Sequence, residues 1–279
     1  MRDGNAGNLN GRVAIVTGGG RGLGRAMSLG LARAGARVVI TAAQGRDEIE
    51  QVAAESGAEC GEKRILPVLA DVTREADCAR VAAAAIERWR RLDILVNNAG
   101  RGMKFVSDRF LTEPTRFWET DPAVWRMIID TNVNGPFLMA CAVVPHLLVS
   151  GWGRIVNISM NHETMRRRGF SPYGPSKAAL ESETVIWAHD LAGTGVTVNA
   201  LLPGGATLTG MIPPGLDESG RSPLLNPAII VPPLLWLVSN ASDGVTGRRV
   251  NARHWRESEP AAAFEDAGWC RESPAQYGK

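Results

Sequence analysis

With 279 residues, 44% hydrophobic and 22% charged, the chain has ample apolar material for one large core, and its composition argues against disorder. A net charge of +2 spread without long basic blocks gives no electrostatic footprint for nucleic acid, and the short run Arg166, Arg167 and Arg168 reads as a solvated loop. The four cysteines, Cys60, Cys78, Cys141 and Cys270, have neither CxxC spacing nor a nearby His pair, so neither a zinc site nor a disulfide framework is indicated.

Residues 1–10 are polar and Gly/Asn-rich, without the apolar core of a leader, and no later stretch reads as a bilayer span; a reducing cytoplasm is the expected location. Short apolar, β-branched runs then recur at 13–17, 38–41, 65–70, 94–97, 155–158 and 196–202, and each reads as a buried strand. Segments of helical period lie between them, at 24–34, 46–56, 75–89, 122–150 and 175–192. This alternation predicts βαβ units and a doubly wound parallel α/β sheet with helices on both faces, in one domain spanning 1–279. Its core covers about residues 10–250, and 251–279 form a C-terminal extension. Two stretches break the pattern. Residues 101–120 carry Phe105, Phe110, Phe117 and Trp118 among charges, and residues 204–227 are crowded with Gly and Pro. Both follow strand ends, where open α/β sheets bind ligands, so both read as functional loops.

The first strand runs into Thr17-Gly18-Gly19-Gly20-Arg21-Gly22-Leu23-Gly24 and then directly into a helix. Glycines there permit a tight turn and let a diphosphate approach backbone N–H groups at a helix N-terminus, where the dipole favours an anion. The spacing differs from Gly-x-Gly-x-x-Gly, so alone it leaves a bland glycine-rich turn as the lesser alternative. Further along, Asn97-Asn98-Ala99-Gly100 closes a strand, and Tyr173-Gly174-Pro175-Ser176-Lys177 opens a helix. Together and in this order, the three motifs resemble the short-chain dehydrogenase/reductase family over about residues 10–247. The resemblance implies a Rossmann-like sheet of about seven strands with the substrate site in the same domain.

Tyr173 and Lys177 are four apart and share a helix face, with Pro175 tolerated in the first turn. A free tyrosine, with a pKa of ~10, is a poor acid–base catalyst at neutrality, but a nearby ammonium favours the phenolate. The pair suits proton transfer at a substrate oxygen, and the resemblance implies that Lys177 also holds the nicotinamide ribose. It implies that Asn132 supports a water leading to the lysine, against a plain helix-packing amide, that Asn97 ties strands together, and that Asp71 beside Val72 contacts the adenine; Asn97 and Asp71 are otherwise cap or turn residues. A carbonyl-polarising serine is expected thirteen positions before the tyrosine, where this chain has Met160, whose thioether cannot donate. Ser159 is the neighbouring substitute, but strand neighbours point to opposite faces, so it serves only if the strand end bulges. Asn161 and His162 are alternative donors.

The second strand ends at Ala42 rather than at an acid, so nothing there repels a 2′-phosphate. Arg21 is placed like a basic residue of NADP-preferring relatives, and Arg46 can also reach; either can equally extend into water. NADP(H) is favoured, with NAD(H) the alternative. The segment Pro203-Gly204-Gly205-Ala206, followed by Thr207 and Thr209, resembles the family's Pro-Gly segment, which holds the nicotinamide carboxamide and then covers the substrate. Set beside common members of the resembled family, the segment between Gly100 and Asn132 is about ten residues longer, and the aromatics of 101–120 either wall the nicotinamide or pack this insertion onto the body. Val245-Thr246-Gly247 is present, but Val250-Asn251-Ala252-Arg253 departs from the family pattern and puts the terminal strand in doubt. Helix faces within 124–149 and 178–191 resemble those that pair relatives into homodimers or homotetramers. The expected activity is hydride transfer between NADP(H) and a small carbonyl or alcohol. The competing readings are a cofactor-binding module with weak catalysis, because of Met160, and an epimerase.

Overall fold

Runs of aliphatic residues buried on both sides become the strands of a central sheet in the computed structural model, which describes residues 8–213 and 224–266. In chain order they are β1 (Val13–Val16), β2 (Arg37–Ala42), β3 (Ile65–Leu69), β4 (Ile94–Asn97), β5 (Gly153–Ile158), β6 (Val196–Leu202), β7 (Arg249–Asn251) and β8 (Phe264–Glu265). The spatial order is β3-β2-β1-β4-β5-β6-β7-β8, parallel from β3 to β7. The sheet is therefore doubly wound, with its topological switch between β1 and β4, where such sheets open a ligand crevice. An eighth strand exceeds the seven expected: β8, from the C-terminal extension, pairs antiparallel with β7. Trp236 stacks near Trp255 and Phe264, with centroids 5.6 and 6.1 Å away, and pins that extension to the body.

The period-two alternation of each strand feeds two cores. Ala14, Val16, Val38, Ile40 and Leu201 face α1 (Gly22–Arg33), α2 (Arg46–Cys60) and a later helix, Val231–Leu237. Val13, Ile15, Val39, Leu95 and Ile155 face the other layer, built from α3 (Glu75–Trp89), α5 (Gly135–Ser150) and α7 (Tyr173–Asp190). The residues that make β7 doubtful in sequence still form it: Gly247 N donates to Val198 O at 2.8 Å, Val198 N donates to Thr246 Oγ1 at 3.0 Å, and Asn251 Oδ1 caps Arg253 N.

The long helical segment predicted at 122–150 is α4 (Pro122–Ile129) and α5 joined by a π turn at Asp130–Asn134. Pro136 has no N–H to give the Asn132 carbonyl, and the helix widens there. Against the expectation that no stretch would qualify, Pro122–Ser150, with an 18-residue window of mean hydropathy 1.5, is by length and composition able to cross a membrane. Its Met139, Val143 and Leu147 are instead spent on the core beneath the sheet. A short helix, α6 (His162–Met165), follows β5 and leads towards α7.

Candidate active site

The glycine turn after β1 borders a cleft of about 300 Å³ at the C-terminal ends of the central strands. Gly18 and Gly22 take left-handed φ values of +65° and +54°, and a Cβ on Gly24 would lie 2.0 Å from the Gly18 carbonyl oxygen. Side chains there would block the turn. Asn98 holds it in place, its Nδ2 donating to the Thr17 and Gly18 carbonyls at 2.8 and 3.0 Å, while Thr17 Oγ1 accepts from the N–H groups of Asn98 and Ala99. The start of α1 has no side-chain cap and no acid in its first turn, which leaves its N–H groups for an anionic ligand. A dinucleotide diphosphate fits this cradle.

Apart from Arg46, every residue expected around the adenosine and diphosphate lines the cleft: Gly18, Arg21, Gly22, Leu23, Gly24, Ala42, Asp71, Val72, Asn98, Ala99 and Gly100. Asp71 also closes a turn, accepting from Thr73 N and Oγ1. The sequence reading missed Glu48, Lys104 and Met211, which line the cleft too. Glu48 sits 3.5 Å from the Arg21 guanidinium, so the base proposed for a 2′-phosphate shares itself with a carboxylate. Arg46 instead pairs with Glu50 at 3.6 Å and does not line the cleft.

Tyr173 and Lys177 stand on successive turns of α7, as their spacing predicts, with the lysine Nζ 6.0 Å from the phenol ring centre. Lys177 is buried and donates to the Ile158 carbonyl at 2.8 Å. Burial pushes it down to about 8, opposed by the negative charge of Glu181, and pushes the Tyr173 phenol up to about 12. The expected depression of the phenol by the ammonium does not prevail in this arrangement. The Tyr173 hydroxyl lies 4.0 Å from Met211 Sδ, which links it to the cleft. Asn132, fully buried in the π turn, is bound on every side: its Oδ1 accepts from Arg101 N, and its Nδ2 donates to Arg101 O and Ser176 Oγ. It clamps the loop after β4 to the start of α7. Asn97 bridges to Asn157 at 2.9 Å, tying β4 to β5.

Ser159 and Met160 follow directly after the end of β5, and their side chains go to different places. Met160, the position where a serine was expected, packs on the buried cluster of Met103, Phe110 and Phe170 that Tyr173 also joins, whereas the Ser159 hydroxyl donates to Glu181 in a different network. No bulge brings Ser159 round to the phenol. Asn161 donates to Gly204 O at 3.2 Å, and His162 Nε2 lies 3.2 Å from Glu181 Oε2. Pro203 and Gly204 are buried behind the cleft, but Ala206 is exposed, its carbonyl accepting from Leu225 N; Thr209, Gly210 and Met211 line the cleft in its stead. The insertion's aromatics divide their work. Phe110 meets Phe170 edge-on at 5.9 Å, Phe105 lines the cleft mouth, and Phe117 and Trp118 face solvent.

A family model described as short chain dehydrogenase matches residues 12–216. A 3-oxoacyl-[acyl-carrier-protein] reductase from Synechocystis sp. is 35% identical over 196 residues, 70% of this chain and 74% of that one. Among solved structures, a 3-ketoacyl-(acyl-carrier-protein) reductase from Brucella melitensis complexed with NADH superposes with a TM-score of 0.77 at 29% identity, covering 88% of this chain and 97% of that one. A short chain dehydrogenase from Shigella flexneri complexed with NADP gives 0.77 at 29% identity, covering 88% and 98%.

Proposed function

The chain belongs to the short-chain dehydrogenase/reductase family, and from that premise we propose that it is an NADP(H)-dependent oxidoreductase acting on a small carbonyl or alcohol. The observation that carries the reading is the Tyr173 hydroxyl 4.0 Å from the sulfur of Met211, a residue that lines the same cleft as the glycine turn. Similar proteins bind NADH and NADP, and the absence of an acid at Ala42 together with Arg21 supports the phosphorylated cofactor, with NAD(H) the alternative.

Bound nicotinamide supplies or accepts the hydride. Tyr173 serves the oxygen: kept neutral by its burial, it holds its proton ready for a carbonyl oxygen that becomes a hydroxyl. Lys177, anchored on Ile158 O, lies close enough to balance the phenolate left behind. Asn132 positions the α7 start through Ser176, and Gly204 is held by Asn161. Met160 leaves the substrate oxygen without a second donor on that side, which supports slower chemistry and keeps a weakly catalytic binding module as the second reading. The exposed Trp125, Phe137, Leu148 and Ile186 support pairing of the α4–α5 and α7 faces between subunits.

Tyr173→Phe tests the reading. Screened with both nicotinamides against aldehydes, ketones and alcohols, the parent is expected to turn over at least one, and the variant to lose about 100-fold or more with cofactor binding unchanged. Full activity in Tyr173→Phe refutes the mechanism; cofactor binding without turnover in the parent selects the binding module.

A further inference from the structure

Beneath the proposed tyrosine–lysine pair lies a buried ionic cluster that the mechanism has not used. Glu181 follows Lys177 by four residues on α7 and so shares its face one turn deeper; the two are 3% and 4% exposed. The carboxylate is held from three further elements. Arg249 of β7 donates to its Oε1, the Ser159 hydroxyl at the end of β5 donates to the same oxygen, and His162 of α6 reaches Oε2 at 3.2 Å. Arg249, 1% exposed, spends its remaining donors on the Met160 carbonyl at 2.6 Å and on Glu265 of β8 at 3.0 Å, and Glu265 also accepts from Asn251. His254 stands 3.8 Å from Glu265 at the outer edge.

The charges decide what this cluster does. The formal charges of Glu181, Arg249 and Glu265 sum to −1. Lys177 adds the +1 that closes the balance. Were Glu181 absent, Arg249 would pair with Glu265 alone, and the ammonium would be a buried cation without a counter-charge, the situation that drives a lysine to give up its proton. We propose that Glu181 is a positioning residue for Lys177: fixed by Arg249 and, through it, by the C-terminal strand β8, it keeps the lysine protonated where the tyrosine needs a cation. The inference rests on Lys177 being partner to Tyr173, yet the charge state can be read without any turnover. The cluster also explains why a chain extension reaches the sheet edge at all, since Glu265 is the second carboxylate that lets Arg249 be buried without cancelling Glu181.

The chain has only four lysines, Lys63, Lys104, Lys177 and Lys279, so a protein labelled with [13C]lysine gives few Cε resonances, and Lys177→Arg identifies the one that matters. Following that resonance against pH should give a midpoint near 8 in the parent and one lower by about one unit, a tenfold weaker hold on the proton, in Glu181→Gln. An unchanged or raised midpoint overturns the proposal. So does an equal fall in His162→Gln, which removes no negative charge and would point to loosened packing. Should Glu181→Gln not fold, Glu265→Gln at the sheet edge is expected to produce a smaller fall in the same direction, and no fall there overturns the proposal as well. Loss of turnover in every assay would remove the enzymatic reading while leaving this titration intact, so the two failures are distinguishable.

Discussion

Replacing Met160 and Ser159 one at a time asks which of two adjacent residues faces the substrate oxygen. Met160 is half-buried against the cluster of Met103, Phe110 and Phe170. Truncating a fully buried Met costs about 2–5 kcal/mol, so Met160→Ser should cost about 1–2 kcal/mol and lower the melting temperature by about 2–8 °C. Against that loss it places a hydroxyl where developing charge on the substrate oxygen can be met. Removing such a donor from a built site costs about 2.7–4 kcal/mol in the barrier, and installing one in an unoptimised site should recover part of this, about tenfold or more in turnover. Ser159→Ala should behave in the opposite way. It deletes a hydrogen bond to the Glu181 carboxylate, worth about 1.5–3 kcal/mol of stability, and leaves turnover within about threefold. Denaturant melts and carbonyl reduction followed by nicotinamide absorbance measure both quantities on the same preparations. A hundredfold fall in turnover for Ser159→Ala, with Met160→Ser silent, would refute the assignment, because the serine would then have to be turned towards the substrate in spite of its bond to Glu181.

Two further expectations follow from groups that face the cleft or the layer below it. NADP(H) should bind more tightly than NAD(H); Arg21→Ala should narrow the gap, and Glu48→Gln should widen it about two- to fivefold by releasing the guanidinium it now shares, with equal dissociation constants in the parent refuting the preference. Glu183 on α7 has a buried Oε2 without a hydrogen-bond partner, and burial pushes its carboxyl from 4.5 up to about 7. The folded state therefore holds this proton more tightly than the unfolded chain, and the stability it contributes is full below 4.5 and lost as pH rises towards 7. Glu183→Gln should flatten that loss by about 1–2 kcal/mol, discounted for partial exposure. Urea melts at about pH 5 and about pH 8 check it, and the same pH slope in parent and variant would show that the carboxyl is not strained.

The strands and the chemistry at their ends were legible because each obeys a short-range rule. Runs such as Ile94–Asn97 and Val196–Leu202 appear where β-branched residues are continuous, and Tyr173 and Lys177 meet because four residues make a helical turn. Ser159 and Met160 lie just past the end of β5, and their side chains nevertheless part company as adjacent strand residues would: the serine bonds Glu181 while the methionine joins an apolar cluster. What escaped reading depends on distance along the chain. β8 is two residues long, too short for any period to register, and Glu181 meets Arg249 across 68 positions, with nothing in either local sequence to mark the pair. Glu48 looks like any acid in a helix's first turn until Arg21 is seen beside it.

The departure at Met160 and the insertion at 101–120 turn out to be parts of one arrangement. Met160, Phe110, Phe170 and Met103 form a single apolar cluster against Tyr173, so the thioether that replaces an expected donor is also the residue that seats the inserted loop. A serine at that place would offer a hydroxyl but give up contact with the cluster of Met103, Phe110 and Phe170, and the loop would lose part of what holds it to the body. Thr115 supplies the other tie, its hydroxyl donating to Gly169 O at 2.8 Å, where a left-handed glycine lets the two loops approach. An apolar wall beside the phenol excludes water and strengthens the electrostatics of the groups that remain. With one polarising donor fewer, those groups carry more of the work. On the proposed mechanism, the charge of Lys177, and of the carboxylate placed beneath it, is then the lever by which this chain would favour proton transfer at Tyr173.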